Sequence, residues 1–192
     1  MFLKNWKTEL FTIPNLLSLF RLILLPVYAQ IYLQATDPFQ YCFAGALMIL
    51  SCFTDLLDGK IARQYHLVTN LGKVLDPLAD KVTQFVLIYC LSRKYAVMKA
   101  VLTLIFIKEI TQLFLAIAFL SKGKVLSGAL MAGKFCTAVL FTSLICLVLF
   151  PSTDTAIINI IAITDIVFLS ISFLSYIHAY FGTNMKLQDL ER

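Results

Sequence analysis

The chain has 192 residues, 60% of them hydrophobic and only 14% charged, with a net charge of +5 and a mean hydropathy of +0.86. A soluble domain of this length is about a quarter charged, so the composition excludes an ordinary water-soluble domain and points to a bilayer. The basic excess is scattered over short polar connections, which argues against nucleic-acid binding and for attraction to anionic lipid.

In chain order, residues 1–12 (MFLKNWKTELFT) are too polar to span. Phe2, Leu3, Trp6, Leu10 and Phe11 interleave with Lys4, Lys7 and Glu9 in a helical pattern, which predicts an amphipathic helix lying in the membrane interface. A cleaved signal peptide is disfavoured, because the apolar run that follows is long and lacks an A-x-A site. A membrane-crossing helix needs about 20 mainly apolar residues. Six stretches qualify: roughly 13–34, 41–63, 75–93, 98–120, 126–150 and 156–181. The expected fold is therefore an all-α integral membrane protein forming a single domain over 1–192. It comprises an interfacial helix at 1–12, a bundle of six transmembrane helices over 13–181 and a cytoplasmic tail at 182–192.

The second and third stretches carry the informative residues. From Asp55 to Asp80 the chain reads D-x2-D-G-x2-A-R-x8-G-x3-D-x3-D. On a helix Asp55 and Asp58 share one face, and so do Asp76 and Asp80. Two helices in antiparallel contact bring the four carboxylates together. Four uncompensated carboxylates repel each other and are costly at membrane depth. Bound divalent cations remove the conflict, since hard cations take oxygen ligands. The alternative is a solvated loop, or pairing with Lys60, Arg63, Lys73 and Lys81. That explains the charges but not the small residues Gly59, Ala62 and Gly72 between them.

The five cysteines fall in or beside apolar stretches, without a C-x-x-C pair or a His/Cys cluster, and read as small buried hydrophobes. No glycine-rich phosphate loop of the soluble nucleotide-binding folds occurs. Excess Lys and Arg mark cytoplasmic loops. With the N-terminus inside, that side holds Lys4, Lys7, Lys60, Arg63, Lys73, Lys122, Lys124, Lys186 and Arg192, against Arg93, Lys94 and Lys99 outside. Nine against three predicts both termini and the acidic motif at the cytoplasmic face, with the Arg93, Lys94 and Lys99 cluster dissenting.

The acidic run, with IPNLLSLFRLILLP (13–26) and LDPLADK (75–81), resembles the CDP-alcohol phosphatidyltransferases, in the branch of phosphatidylglycerophosphate and cardiolipin synthases. Asp55, Asp58, Gly59, Ala62, Arg63, Gly72, Asp76 and Asp80 match that signature position for position, and the likeness is strongest over about 12–90. The resemblance implies transfer of a phosphatidyl group from CDP-diacylglycerol to an alcohol with release of CMP, at the inner membrane of a bacterium, by a homodimer. It implies two ions of Mg²⁺ or Mn²⁺ held by Asp55, Asp58, Asp76 and Asp80, with Asp80 as general base. It further implies a nucleotide and diphosphate site at Asp58, Gly59, Ala62, Arg63, Gly72 and Asn15. Taken alone, Gly59 and Ala62 also read as close helix packing, Arg63 as a cytoplasmic anchor, Gly72 as relief of the interhelical bend and Asn15 as a helix cap, but between metal-ligand aspartates the nucleotide role of Gly59 and Ala62 is favoured.

The acceptor side is less determinate. Lys108 lies in an apolar stretch beside Glu109, with which it can simply pair, and GKFCT (133–137) resembles the GK-x-KT segment of phosphatidylglycerophosphate synthases. Lys108 stands where those enzymes usually have Arg, and Cys136 stands at their second Lys. Lys108, Lys134, Lys122 and Lys124 are the candidate acceptor contacts. Glycerol 3-phosphate is the first acceptor and phosphatidylglycerol the alternative, because cardiolipin synthases also lack the second Lys. Asp165 has no assigned role. A cation transporter built on the acidic cluster is the competing class, and it leaves Gly59, Ala62 and Arg63 unexplained.

Overall fold

A computed structural model describes residues 12–65, 69, 71–121, 124–126, 131–181 and 187–189. The interfacial helix expected at 1–12 and the positions of His66, Lys122 and Lys186 lie outside the described residues, save Thr12. The apolar stretches become six helices: α1 (Ile13–Gln34), α2 (Pro38–Gln64), α3 (Gly72–Lys94), α4 (Met98–Leu120), α5 (Met131–Leu149) and α6 (Thr155–Phe181). Pro14 sits in the first turn of α1 and Pro38 opens α2, where a missing N–H leaves no helical bond unmade. Pro26 and Pro77 fall inside α1 and α3, as membrane helices tolerate.

The described fold divides into two compact units. The first gathers α1, α2 and α3 up to Arg93 with the short segment Val148–Pro151. In it α1 packs along α2, and a Cβ on Gly45 of α2 would stand 2.9 Å from Leu149 Cδ2. The second unit holds Lys94–Leu147 and the chain from Ser152 onward, with α4 packed on α6.

The polarity of these helices is inverted relative to a protein in water. Along α1 the buried residues are Pro14, Asn15, Ser18, Arg21, Leu25, Tyr28 and Tyr32, three or four apart apart from the first pair, while Ile13, Leu16, Phe20, Ile23 and Val27 are exposed. Phe106, Ile110, Leu113, Phe114 and Ile117 of α4 are exposed, as are Ile160, Ile163, Val167, Ile171 and Leu174 of α6. Continuous apolar surface of this extent is stable against lipid, not water. By length and composition α1, α4 and α6 are long and apolar enough to cross a membrane. The apolar parts of α2 (Pro38–Thr54) and α5 (Gly133–Leu149) are shorter.

Two short strands add to the helical outline. The fifth stretch does not begin at 126: Lys124–Leu126 is a strand, β1, and α5 starts at Met131. Within the expected tail, Leu187–Asp189 forms β2, antiparallel to β1, pairing Lys124 with Asp189, Val125 with Gln188 and Leu126 with Leu187. Apolar periodicity does not register such pairing, which satisfies backbone groups left over between helices. The ends of α4 and α6 lie together beside it, with the Phe119 ring against those of Tyr180 and Phe181.

A charge on the apolar face of α6 tests the lipid assignment. Val167→Arg is expected to cost insertion of α6 about 2.5–3.5 kcal/mol, read as a lower inserted fraction in a membrane-insertion assay. A water-facing position would accept the change without loss.

Candidate active site

The site is built where α1 meets the start of α3. In the turn before α3, Thr69 Oγ1 accepts the backbone N–H of Gly72 at 2.9 Å and the side-chain amide of Asn15 at 3.0 Å. Asn15 is buried, and a Cβ on Gly72 would come 2.7 Å from its Oδ1 and 3.1 Å from Thr69 Oγ1. Gly72 therefore admits Asn15 to the helix start. Asn15 braces α3, whereas Thr12 occupies the cap position of its own helix.

One turn further, Ser18 Oγ donates to Asp76 Oδ1 at 2.7 Å and lies 3.2 Å from its own helix carbonyl at Pro14. Another turn on, the Arg21 guanidinium donates to Asp80 Oδ1 at 2.6 Å. Partners advance together, 15 with 72, 18 with 76 and 21 with 80, so α1 and α3 run in the same direction. Spacings of three on α1 and four on α3 keep each partner on one face of its helix. The ion pair is asymmetric: the Arg21 side chain is 3% exposed and that of Asp80 48%. Ser51 and Thr54 of α2 and Thr83 and Gln84 of α3 are further buried polar residues of the first unit.

Asp55, Asp58, Gly59, Ala62 and Arg63 occupy the later turns of α2, next in the chain to the α3 start, and their side chains lie outside the described ones. Among the described residues no three His, Cys, Asp or Glu side chains cluster. Asp76 and Asp80 nevertheless fit a hard divalent cation: both are oxygen donors, partly open, and one helical turn apart on α3.

Sequence reasoning missed Ser18, Arg21 and Thr69. For the first two a signal existed, since Asn15, Ser18 and Arg21 recur every third residue in an otherwise apolar helix. For Thr69, a loop residue, nothing in the spacing marked it.

The acceptor candidates lie in the second unit. Lys108 is buried on α4, donating to Glu109 Oε1 at 2.9 Å and Gln112 Oε1 at 3.2 Å, with its ammonium 5.9 Å from the centre of the Tyr176 ring. Tyr176 packs against Gly133, where a Cβ would meet its hydroxyl at 2.8 Å. Cys136 is buried on α5, Lys134 is exposed, and Lys124 lies on β1. Asp165 is buried on α6, with Ser143 Oγ 2.8 Å from each of its carboxylate oxygens.

The family model described as CDP-alcohol phosphatidyltransferase matches residues 11–174, and the chain belongs to that family. A CDP-diacylglycerol–glycerol-3-phosphate 3-phosphatidyltransferase of Aquifex aeolicus is 32% identical over 170 residues, covering 85% of this chain and 93% of the relative. The enzyme of the same name from Bacillus subtilis is 38% identical over 84 residues, 38% of this chain and 44% of its own length. A Schizosaccharomyces pombe protein, a fusion of cardiolipin synthase (CMP-forming) with a mitochondrial hydrolase, is 41% identical over 86 residues. That match takes in 45% of this chain and 14% of the fusion protein.

The Asn15–Gly72 contact generates a thermodynamic test. Gly72→Ala is expected to destabilise the protein by about 1–3 kcal/mol, because the buried Asn15 amide must swing off Thr69. In the Asn15→Ala background the same change should cost markedly less, a coupling measurable by a double-mutant cycle of thermal melting in detergent.

Proposed function

We propose that the chain transfers the phosphatidyl group of CDP-diacylglycerol to glycerol 3-phosphate, releasing CMP and forming phosphatidylglycerophosphate. The observation that carries this is the seating of Asp76 and Asp80 on one face of α3, against the polar face of α1, within the matched family region. The length-spanning likeness to the Aquifex aeolicus enzyme favours the acceptor. In this reading six helices cross the membrane, the site opens to the cytoplasmic face, and the protein works as a homodimer in a bacterial inner membrane.

Asp55, Asp58, Asp76 and Asp80 would hold two ions of Mg²⁺ or Mn²⁺, which when bound neutralise the diphosphate and the departing CMP. Asp80 takes the proton of the acceptor hydroxyl as that oxygen bonds to the phosphatidyl phosphorus and the bond to CMP breaks. Gly59 and Ala62 leave the α2 backbone open to the cytidine, and Arg63 grips phosphate through its forked guanidinium. Gly72 and Asn15 complete this end of the site by setting where α3 begins. Lys108, Lys134, Lys122 and Lys124 supply the positive charge that receives the acceptor.

A second acceptor, phosphatidylglycerol, is favoured by one observation: the charge of Lys108 is already engaged by Glu109, and Cys136 adds none. Purified protein with CDP-diacylglycerol and each acceptor, products identified by mass, separates the two. Phosphatidylglycerophosphate with glycerol 3-phosphate is expected. Cardiolipin from phosphatidylglycerol, and nothing from glycerol 3-phosphate, would reverse the acceptor assignment and leave the family chemistry standing.

Two further outcomes follow from the aspartate roles. Excess chelator should abolish CMP release and added Mg²⁺ or Mn²⁺ restore it, so full turnover in chelator would remove the metal from the reaction. Asp80→Asn should eliminate turnover with CDP-diacylglycerol binding nearly intact, whereas Asp76→Asn should weaken cation and substrate binding together. Both are read by turnover and equilibrium binding on the same preparation.

A further inference from the structure

α1 contributes no member of the acidic signature, yet two of its side chains reach two of the aspartates. We propose that Ser18 and Arg21 are positioning residues: from α1 they set the orientation of the Asp76 and Asp80 carboxylates. The inference rests on reading Asp76 as a cation ligand and Asp80 as the base.

Three observations carry it. First, the contacts are short and paired in register, Ser18 to Asp76 at 2.7 Å and Arg21 to Asp80 at 2.6 Å, one turn apart on both helices. A hydrogen bond to one carboxylate oxygen fixes the rotation of the group and therefore the direction of its remaining lone pairs. Second, Ser18 has a local alternative in the Pro14 carbonyl at 3.2 Å, as hydroxyls in helices commonly do. The carboxylate contact is shorter, so the bond to Asp76 is not needed to satisfy a stranded hydroxyl.

Third, the Arg21–Asp80 pair is buried at the wrong end for a structural bridge. A bridge that only joins α1 to α3 would shield both partners. Here the cation is sealed at 3% side-chain exposure and the carboxylate stands 48% exposed. A long arginine side chain can carry its charged head out to water, and that of Arg21 does not. It stays inside, anchored at the protein end, and presents the carboxylate outward.

The test uses the full chain in detergent, with Ser18→Ala, Ser18→Thr, Arg21→Gln and Arg21→Lys. Three quantities are measured on each: Mn²⁺ affinity by magnetic resonance of the free ion, kcat and KM for CDP-diacylglycerol, and melting temperature. Removing a hydrogen-bond partner of a ligating group typically weakens metal binding or activity by about 10–100-fold. Ser18→Ala should therefore lose about 10-fold in Mn²⁺ affinity, and Ser18→Thr, which keeps the hydroxyl, should recover most of it. Arg21→Gln should lose about 100-fold in kcat with KM changed less than about 3-fold, the pattern of a misaligned group rather than lost binding.

Unchanged Mn²⁺ affinity in Ser18→Ala overturns the role of Ser18. A kcat within about 3-fold of the parent in folded Arg21→Gln overturns that of Arg21. If Arg21→Gln does not fold, Arg21→Lys decides: it keeps the charge but not the planar fork, and a kcat equal to the parent's at equal melting temperature overturns the proposal. Failure of the functional reading looks different. A parent protein that releases no CMP from CDP-diacylglycerol with any acceptor refutes that reading, while Mn²⁺ affinity in the Ser18 variants still decides the role of Ser18.

Discussion

A charged group held inside a lipid-facing bundle needs an opposite charge or a strong acceptor within hydrogen-bond reach, and the first unit is organised around that constraint. Arg21 is the deepest case: it lies on a helix whose outer face is Ile13, Leu16, Phe20 and Ile23, and it is buried against Asp80. An arginine at the centre of an isolated helix in the membrane costs at least about 2.5–3.5 kcal/mol. Turning it inward onto a carboxylate removes most of that cost and fixes the rotation of α1 about its axis. Once α1 is rotated so, Asn15 and Ser18 necessarily face α3 as well, because they stand six and three residues earlier on the same side.

The same constraint explains why the ion pair is better read as part of a site than as a source of stability. Buried pairs return little net free energy, since desolvation offsets attraction. What they provide is a specific alignment, and here it is the alignment of α1 and α3 in the same direction, one turn matched to one turn. The start of α3 belongs to this arrangement. Thr69, Asn15 and Gly72 hold its first turn through side chains, and the absence of a Cβ at Gly72 leaves Asn15 room beside it. The placement of Asp76 and Asp80 against the polar face of α1 rests on these contacts.

The second unit meets its own constraint differently. Lys108 is compensated by its neighbour Glu109 and by Gln112, and the face of Tyr176 lies near its ammonium. Asp165 is neutral-partnered, taking Ser143. Gly133, read from the sequence only as the start of a family segment, has a packing reason in the Tyr176 ring seated against it. The Lys108 ammonium is thus held by partners on its own helix, one and four residues further along.

The helices and the family were readable in the sequence because each rests on local pattern. Runs of about 20 apolar residues can only be helical in a bilayer, and the spacing of Asp55, Asp58, Asp76 and Asp80 carries the family's signature in the order of the chain. The apolar pattern did not register the short strands Lys124–Leu126 and Leu187–Asp189, which pair across more than sixty residues of chain. Only the tertiary structure decided which residues outside the signature touch it. Ser18, Arg21 and Thr69 acquire meaning from partners more than fifty residues away or from a helix start, and Gly72 from the one side chain that passes beside it. The physical reason is that a hydrogen bond is a relation between two positions. Helical periodicity shows that Asn15, Ser18 and Arg21 share a face, but not which face of which helix lies opposite.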